Sequence, residues 1–129
     1  MNIGKAAARA GLTVKTVRYY ANIGMVAPAQ DARTGYRDYR EEDIAKLQFI
    51  GKARRFNFSI EECRELLSLY GDQDRSSKEV KALTLEKIKE IDEKLTELQS
   101  LRDQLSHLAA HCHGDDRPDC PILDALGGG

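Results

Sequence analysis

The residues with the sharpest chemistry are two cysteines near the C-terminal end, Cys112 and Cys120. Their segment reads Cys112-His113-Gly114-Asp115-Asp116-Arg117-Pro118-Asp119-Cys120-Pro121. Gly114 and Pro118 favour turns, so the loop can fold back and bring both sulfurs to one ion. Thiolates are soft ligands that select Cu(I) and similar ions over hard cations. Pro121 suits the first position of a short helix, Ile122 to Leu126, with Gly127 after its end. Cys120 then stands at the N-cap, where free backbone N–H groups and the positive end of the dipole favour a thiolate. A reduced, purely structural pair is the other reading this spacing allows. His111 and His113 flank Cys112 and offer further donors for a four-ligand Zn²⁺ site. Loop histidines are more commonly solvated, and Asp115, Asp116 and Asp119 are expected to solvate and turn the loop. His107 is expected on a helix surface, and Cys63 as a small buried hydrophobe.

A long helix must hold this loop. From about Ser77 to Ala109 there is no Gly or Pro. Ile88, Ile91, Leu95, Leu98, Leu101, Leu105 and Leu108 recur at steps of three and four, a single apolar stripe between charged faces. Some 30 residues at 1.5 Å each make a helix roughly 45 Å long. A small domain cannot cover such a stripe, so the simplest burial is against a second copy, as a coiled coil. Gly71 to Ser76 precedes the helix as a polar hinge. Ser77 suits an N-cap, and Ser76 with Glu79 also fits a capping box.

The N-terminal part reads as a small helical head. Ile3 to Ala10 is alanine-rich and helical, and Gly11 stops it. Thr13 is an N-cap for a second helix from Val14, closed by Gly24. Helix, glycine turn and helix make a helix-turn-helix pattern. Val14 and Val17 can face inward, leaving Lys15, Thr16, Arg18 and Tyr19 on the outer surface near the N-terminal end. That end is the part a recognition helix presents to base edges and phosphates. Asp31 to Tyr39 reads as a small hairpin, a wing, with Arg33, Tyr36 and Arg37 about its tip. A third helix, Glu41 to Arg55, carries Ile44, Leu47 and Ile50 inward, with Phe49 widening the stripe. Ser59-Ile60-Glu61-Glu62 is a capping box that opens a fourth helix running to about Tyr70.

Charge divides the chain in the same place. Residues 1–58 hold 11 Lys and Arg against 5 Asp and Glu, whereas residues 59–129 hold 9 against 16. A basic head on an acidic body points to a polyanion partner for the head. With 32% charged residues and a mean hydropathy of -0.53, no apolar run approaches the roughly 18 residues of a membrane span. The first residues lack a signal-peptide h-region, so the expected compartment is the cytoplasm. The chain has no C-x-x-C, no nucleotide-binding glycine motif and no α/β alternation, which argues against a thiol or redox enzyme. The basic head argues against a simple copper carrier.

Taken together, Gly11-Leu12-Thr13, Val17-Arg18-Tyr19-Tyr20, Gly24, Arg33-Thr34-Gly35-Tyr36-Arg37-Asp38-Tyr39 and Phe56-Asn57-Phe58-Ser59 closely resemble the head of MerR-family transcription regulators. The resemblance runs over essentially the whole chain and is closest to the copper-responsive CueR/HmrR branch. It implies a mainly α fold: a winged helix-turn-helix head over residues 1–70, a hinge at 71–76, an antiparallel coiled-coil dimerisation helix over 77–110, and a metal-binding loop with a short helix over 111–129. It implies DNA contacts from Lys15, Thr16, Arg18 and Tyr19, from Tyr36 and Arg37 on the wing, and from Arg54 and Phe58 near a second wing. It implies one Cu(I), Ag(I) or Au(I) per loop, held by Cys112 and Cys120. Members that sense divalent ions carry a further cysteine where this chain has Ser77, so Ser77 bears on selectivity. Lys81 is implied to help offset the charge of the two-thiolate site. The partners implied are a second copy, a two-fold symmetric promoter operator and RNA polymerase, with transcription of metal-resistance or efflux genes activated by DNA distortion. A divalent-ion sensor using His111 or His113 is the alternative within the same class.

Overall fold

The computed structural model describes residues 1–72, 74, 76–115 and 118–128. Gln73 and Arg75 of the expected hinge, Asp116 and Arg117 of the loop, and the terminal Gly129 lie outside the described residues. Two compact units emerge, Met1–Ala82 and Leu83–Gly129. The elements in order are α1 (Ile3–Ala10), α2 (Val14–Asn22), β1 (Ala29–Gln30), β2 (Arg37–Asp38), α3 (Glu41–Arg55), α4 (Ile60–Gly71), α5 (Ser77–His111) and α6 (Pro121–Leu126).

Helix ends in the first unit follow from local chemistry. Asn2 caps α1 by accepting from the Lys5 N–H at 2.9 Å, and Thr13 caps α2 by accepting from the Thr16 N–H at 3.1 Å. Ser59 and Glu62 close the expected capping box, with Ser59 N–H to Glu62 Oε1 at 2.8 Å and Glu62 N–H to Ser59 Oγ at 3.1 Å. Gly11 and Gly24 both sit in the left-handed region, at φ 70° and 79°. After each, the next N–H reaches back to close the helix: Leu12 to the Ala7 carbonyl at 3.0 Å, Met25 to the Tyr20 carbonyl at 2.9 Å. Asn57 repeats the device after α3 at φ 71°, with Phe58 N–H donating to the Ala53 carbonyl at 3.2 Å. Asparagine tolerates this region better than other non-glycine residues.

These ends aim four helices at one core. Ala6 and Ala7 of α1, Val17 and Tyr20 of α2, Ile44, Leu47 and Ile50 of α3, and Cys63 of α4 are all buried in it. The inward stripe of α3 is as expected. On α2, Val17 is buried but Val14 is 37% exposed, so the expected inward pair of valines is corrected. Val14 is the first helical residue, outside the packed turn, and Tyr20 takes the second inward position. Asp43 is buried too, its carboxylate accepting from the Arg40 N–H at 2.9 Å with the Arg40 guanidinium 3.6 Å away.

The wing is a two-stranded antiparallel ribbon that pairs Ala29 with Asp38 and Gln30 with Arg37. Its turn is organised by Asp31, whose carboxylate accepts from the Arg33 N–H at 2.8 Å and whose carbonyl accepts from the Gly35 N–H at 2.8 Å. Tyr39, just after β2, is buried, and its hydroxyl finds no hydrogen-bond partner among the described residues. Such a group costs about 1–3 kcal/mol. Tyr39→Phe should therefore raise the thermal midpoint, by about 4–8 °C for each kcal/mol recovered, without loss of cooperativity. A lowered midpoint in calorimetry would show that the hydroxyl is satisfied.

In α5 the stripe is unpartnered within one chain: Ile88, Leu95, Leu98, Leu101 and Leu105 remain between 48% and 61% exposed. The cap before α5 belongs to Ser76, whose Oγ accepts from the Lys78 N–H at 3.0 Å, while Ser77 is the first helical residue. No helix among the described residues is long and apolar enough to cross a membrane.

Candidate metal centre and nucleic-acid interface

The loop after α5 brings its two cysteines together. Cys112 Sγ and Cys120 Sγ lie 3.8 Å apart, both partly buried and neither in a disulfide. Cys112 continues directly from the last turn of α5, its N–H donating to the Ala109 carbonyl at 3.2 Å. Gly114 takes a left-handed φ of 68°, which lets the loop reverse. Cys120 is the N-cap of α6 and Pro121 its first residue, as the spacing predicts. The thiol makes no capping bond of ordinary length. It nevertheless faces the first turn of α6, where the backbone N–H of Leu123 foremost, then the Cys112 thiol and the Ile122 N–H, hold its pKa below the usual cysteine value.

Two thiols so placed suit a soft ion. With metal–sulfur bonds of about 2.3 Å, sulfurs on opposite sides of an ion are about 4.6 Å apart, less than 1 Å wider than here. The neighbouring histidines are differently engaged. His111 Nδ1 lies 2.8 Å from the His107 carbonyl oxygen, which turns that ring back along α5, and His113 is exposed. Among the described residues no group of three or more His, Cys, Asp or Glu side chains gathers as a metal cluster.

On the head, α2 and the wing form a second surface. Lys15, Arg18 and Tyr19 are exposed on α2, and Tyr36 is 78% exposed on the wing. Thr13 donates to the Thr16 hydroxyl oxygen at 2.8 Å, which leaves the Thr16 proton available to an acceptor. Arg18 lines one groove with Gln30, Gly35, Tyr36 and Arg37, of about 380 Å³. Cations from two elements thus face one space, as phosphate recognition requires. Arg37 donates to Asn22 Oδ1 at 2.6 Å, tying the wing to the end of α2. Arg54 donates to the Phe58 carbonyl at 2.8 Å and also meets the Tyr20 hydroxyl. Burial pushes the Tyr20 phenol up, with Arg54 pulling against it. Phe58 itself is buried, so its side chain belongs to the core and its carbonyl to Arg54. Asn22 and Tyr20 had escaped the sequence reading because both partnerships join residues far apart in the chain. Asp31 was more accessible, since an Asp four residues before a turn glycine commonly bonds its own turn.

The profile of the MerR HTH family regulatory protein matches residues 1–69, more than half of the chain. The chain belongs to the MerR family. A second profile, of the MerR DNA-binding type, matches residues 44–108, so together the two span head and long helix. The HTH-type transcriptional regulator HmrR of Rhizobium leguminosarum bv. viciae is 51% identical, with all of this chain and 99% of that protein covered. The HTH-type transcriptional regulator CueR of Salmonella typhimurium is 46% identical, over 99% of this chain and 93% of that one. Among solved structures, the regulator PbrR691 of Ralstonia metallidurans, crystallised in complex with lead(II), superposes with a TM-score of 0.82 at 30% identity, covering 98% of both chains. This MerR-family chain is accordingly a transcription regulator with a DNA-binding head, and not an enzyme.

Proposed function

We propose that this regulator is a cytoplasmic homodimer that senses Cu(I), or Ag(I) or Au(I), and activates metal-resistance or efflux genes from a two-fold symmetric operator. The observation that carries the reading is the pair of sulfurs, Cys112 and Cys120, held 3.8 Å apart at the mouth of a helix. One monovalent ion per loop fits this donor set, because a two-thiolate site needs a soft ion content with two ligands. A tetrahedral ion would need two further donors beside the pair. The net negative charge of such a site is offset by the first N–H groups of α6 and, in the dimer, by Lys81. At 1.5 Å per residue, the 35 residues of α5 span about 50 Å. The family resemblance implies that Ser77 and Lys81 at its start serve the loop across an antiparallel seam, from the second copy. The exposed leucine stripe supports that seam.

Residues 1–70 then act as the DNA-binding domain, 71–76 as hinge, 77–110 as dimerisation helix and 111–129 as sensor. Lys15, Thr16, Arg18 and Tyr19 meet the operator from α2, and Tyr36 and Arg37 from the wing. Arg54 meets it from the end of α3, with Phe58 acting through its carbonyl to aim that guanidinium. Ligation orders the loop at the end of the seam, the two heads shift together, and the operator is bent so that RNA polymerase can engage both promoter elements. Readout through bending draws on sequence-dependent deformability.

The test is a gel shift and in vitro transcription on one promoter fragment. Binding is expected with and without Cu(I), and transcription only with it. Transcription driven instead by buffered Zn²⁺ favours the divalent alternative. Arg54→Ala should weaken binding to all sequences alike and lower the salt slope by about one phosphate contact per head. An unchanged slope removes Arg54 from the interface.

A further inference from the structure

The histidines of α5 carry a geometry that the thiol pair does not use. His107 and His111 are four residues apart, so they share one face of the helix at successive turns. Their ring centroids lie 4.2 Å apart with the planes at 44°, and both residues are exposed. His111 Nδ1 is 2.8 Å from the His107 carbonyl oxygen. A carbonyl only accepts, so Nδ1 carries the hydrogen, and the neutral ring keeps its lone pair on Nε2. One nitrogen tied to a backbone carbonyl and the other left to face a ligand is the arrangement that orients metal-binding histidines. The pair also sits in the last two turns of α5, near the unsatisfied carbonyls that favour a cation. One turn earlier, Asp103 lines the same groove as His107, its carboxylate accepting from Gln99 Nε2 at 2.9 Å and lying 3.7 Å from the Arg102 guanidinium.

We propose that His107 and His111 form a second metal site, a two-imidazole chelate for a borderline divalent ion such as Zn²⁺ or Ni²⁺, separate from Cys112 and Cys120. Imidazole nitrogen suits these ions, while the thiolates keep the soft monovalent ones. Water completes the coordination, which makes the site weaker than a four-ligand one. The chelate spans one helical turn and so staples the end of α5 directly before Cys112. Divalent ions would thereby stiffen the base of the sensor loop without entering it. The inference stands whether or not the loop binds Cu(I).

The experiment is a Zn²⁺ titration by calorimetry of the full chain carrying Cys112→Ser and Cys120→Ser, which removes both thiols. One Zn²⁺ per chain is expected. His107→Ala or His111→Ala, added singly, should each weaken binding at least tenfold, and His113→Ala should leave it unchanged. Both rings are exposed, so neither substitution threatens the fold. Zn²⁺ should also slow amide exchange over residues 108–112, and fail to do so with His107→Ala. Absence of Zn²⁺ binding once the thiols are gone, or loss with His113→Ala in place of His107→Ala, would overturn the assignment.

Discussion

Cys112→Ala and Cys120→Ala should each abolish Cu(I)-dependent transcription while leaving operator affinity intact. Coupling between effector and output in such regulators is typically worth 1–3 kcal/mol, so induction should fall by about 5- to 150-fold, to the uninduced level. The two cysteines fail for different structural reasons. Cys112 extends the last turn of α5, so losing it detaches the ion from the long helix. Cys120 opens α6, and its thiol is drawn toward the thiolate by the Leu123 N–H. Its removal takes away a ligand and also the sulfur that faces the first N–H groups of α6. Cys120→Ser separates the two roles, since serine is a good N-cap but a hard donor. Helicity of α6 should survive that change and induction should not. Induction retained with Cys120→Ser, read on the same promoter, would place the ion elsewhere.

The second large effect lies in the seam. Leu98→Asp with Leu101→Asp should convert the dimer to a monomer in analytical ultracentrifugation. Both leucines stand on the unpartnered stripe, 61% and 48% exposed in the single chain. Fully burying an exposed leucine contributes about 1.5–3 kcal/mol, and about half of each remains to be covered here, so four across a dimer amount to about 3–6 kcal/mol. That loss raises the dimer dissociation constant by about two to four decades, before the cost of facing carboxylates is added. Operator binding should fall steeply as well, because each head then binds its half-site without the effective concentration supplied by its partner. The head should keep its circular dichroism and its melting transition, since its core draws on none of these residues. A variant that still sediments as a dimer would place the interface off this stripe.

Much of the fold was legible because its signals are local. Thr13, the Ser59–Glu62 box, Gly11 and Gly24 each act within one helical turn, and each performs as its residue type demands. The leucine stripe of α5 is equally plain, since a period of three and four residues is a property of the chain itself. The two cysteines were legible as soft donors for the same reason.

What remained hidden depends on which residues meet across the fold. That Val14 stays outside while Tyr20 goes in was settled by where α2 lies against α1. The hold of Asn22 on Arg37, and of Tyr20 on Arg54, followed from side chains reaching between elements. The amino-acid sequence by itself determined the helices, their caps, the apolar stripe and the two thiols about a turn, because propensity, capping and periodicity act between near neighbours. Only the tertiary structure decided the 3.8 Å between the sulfurs and the shared groove of Arg18 with Tyr36 and Arg37, because chain reversal and helix packing set distances that no spacing of residues encodes.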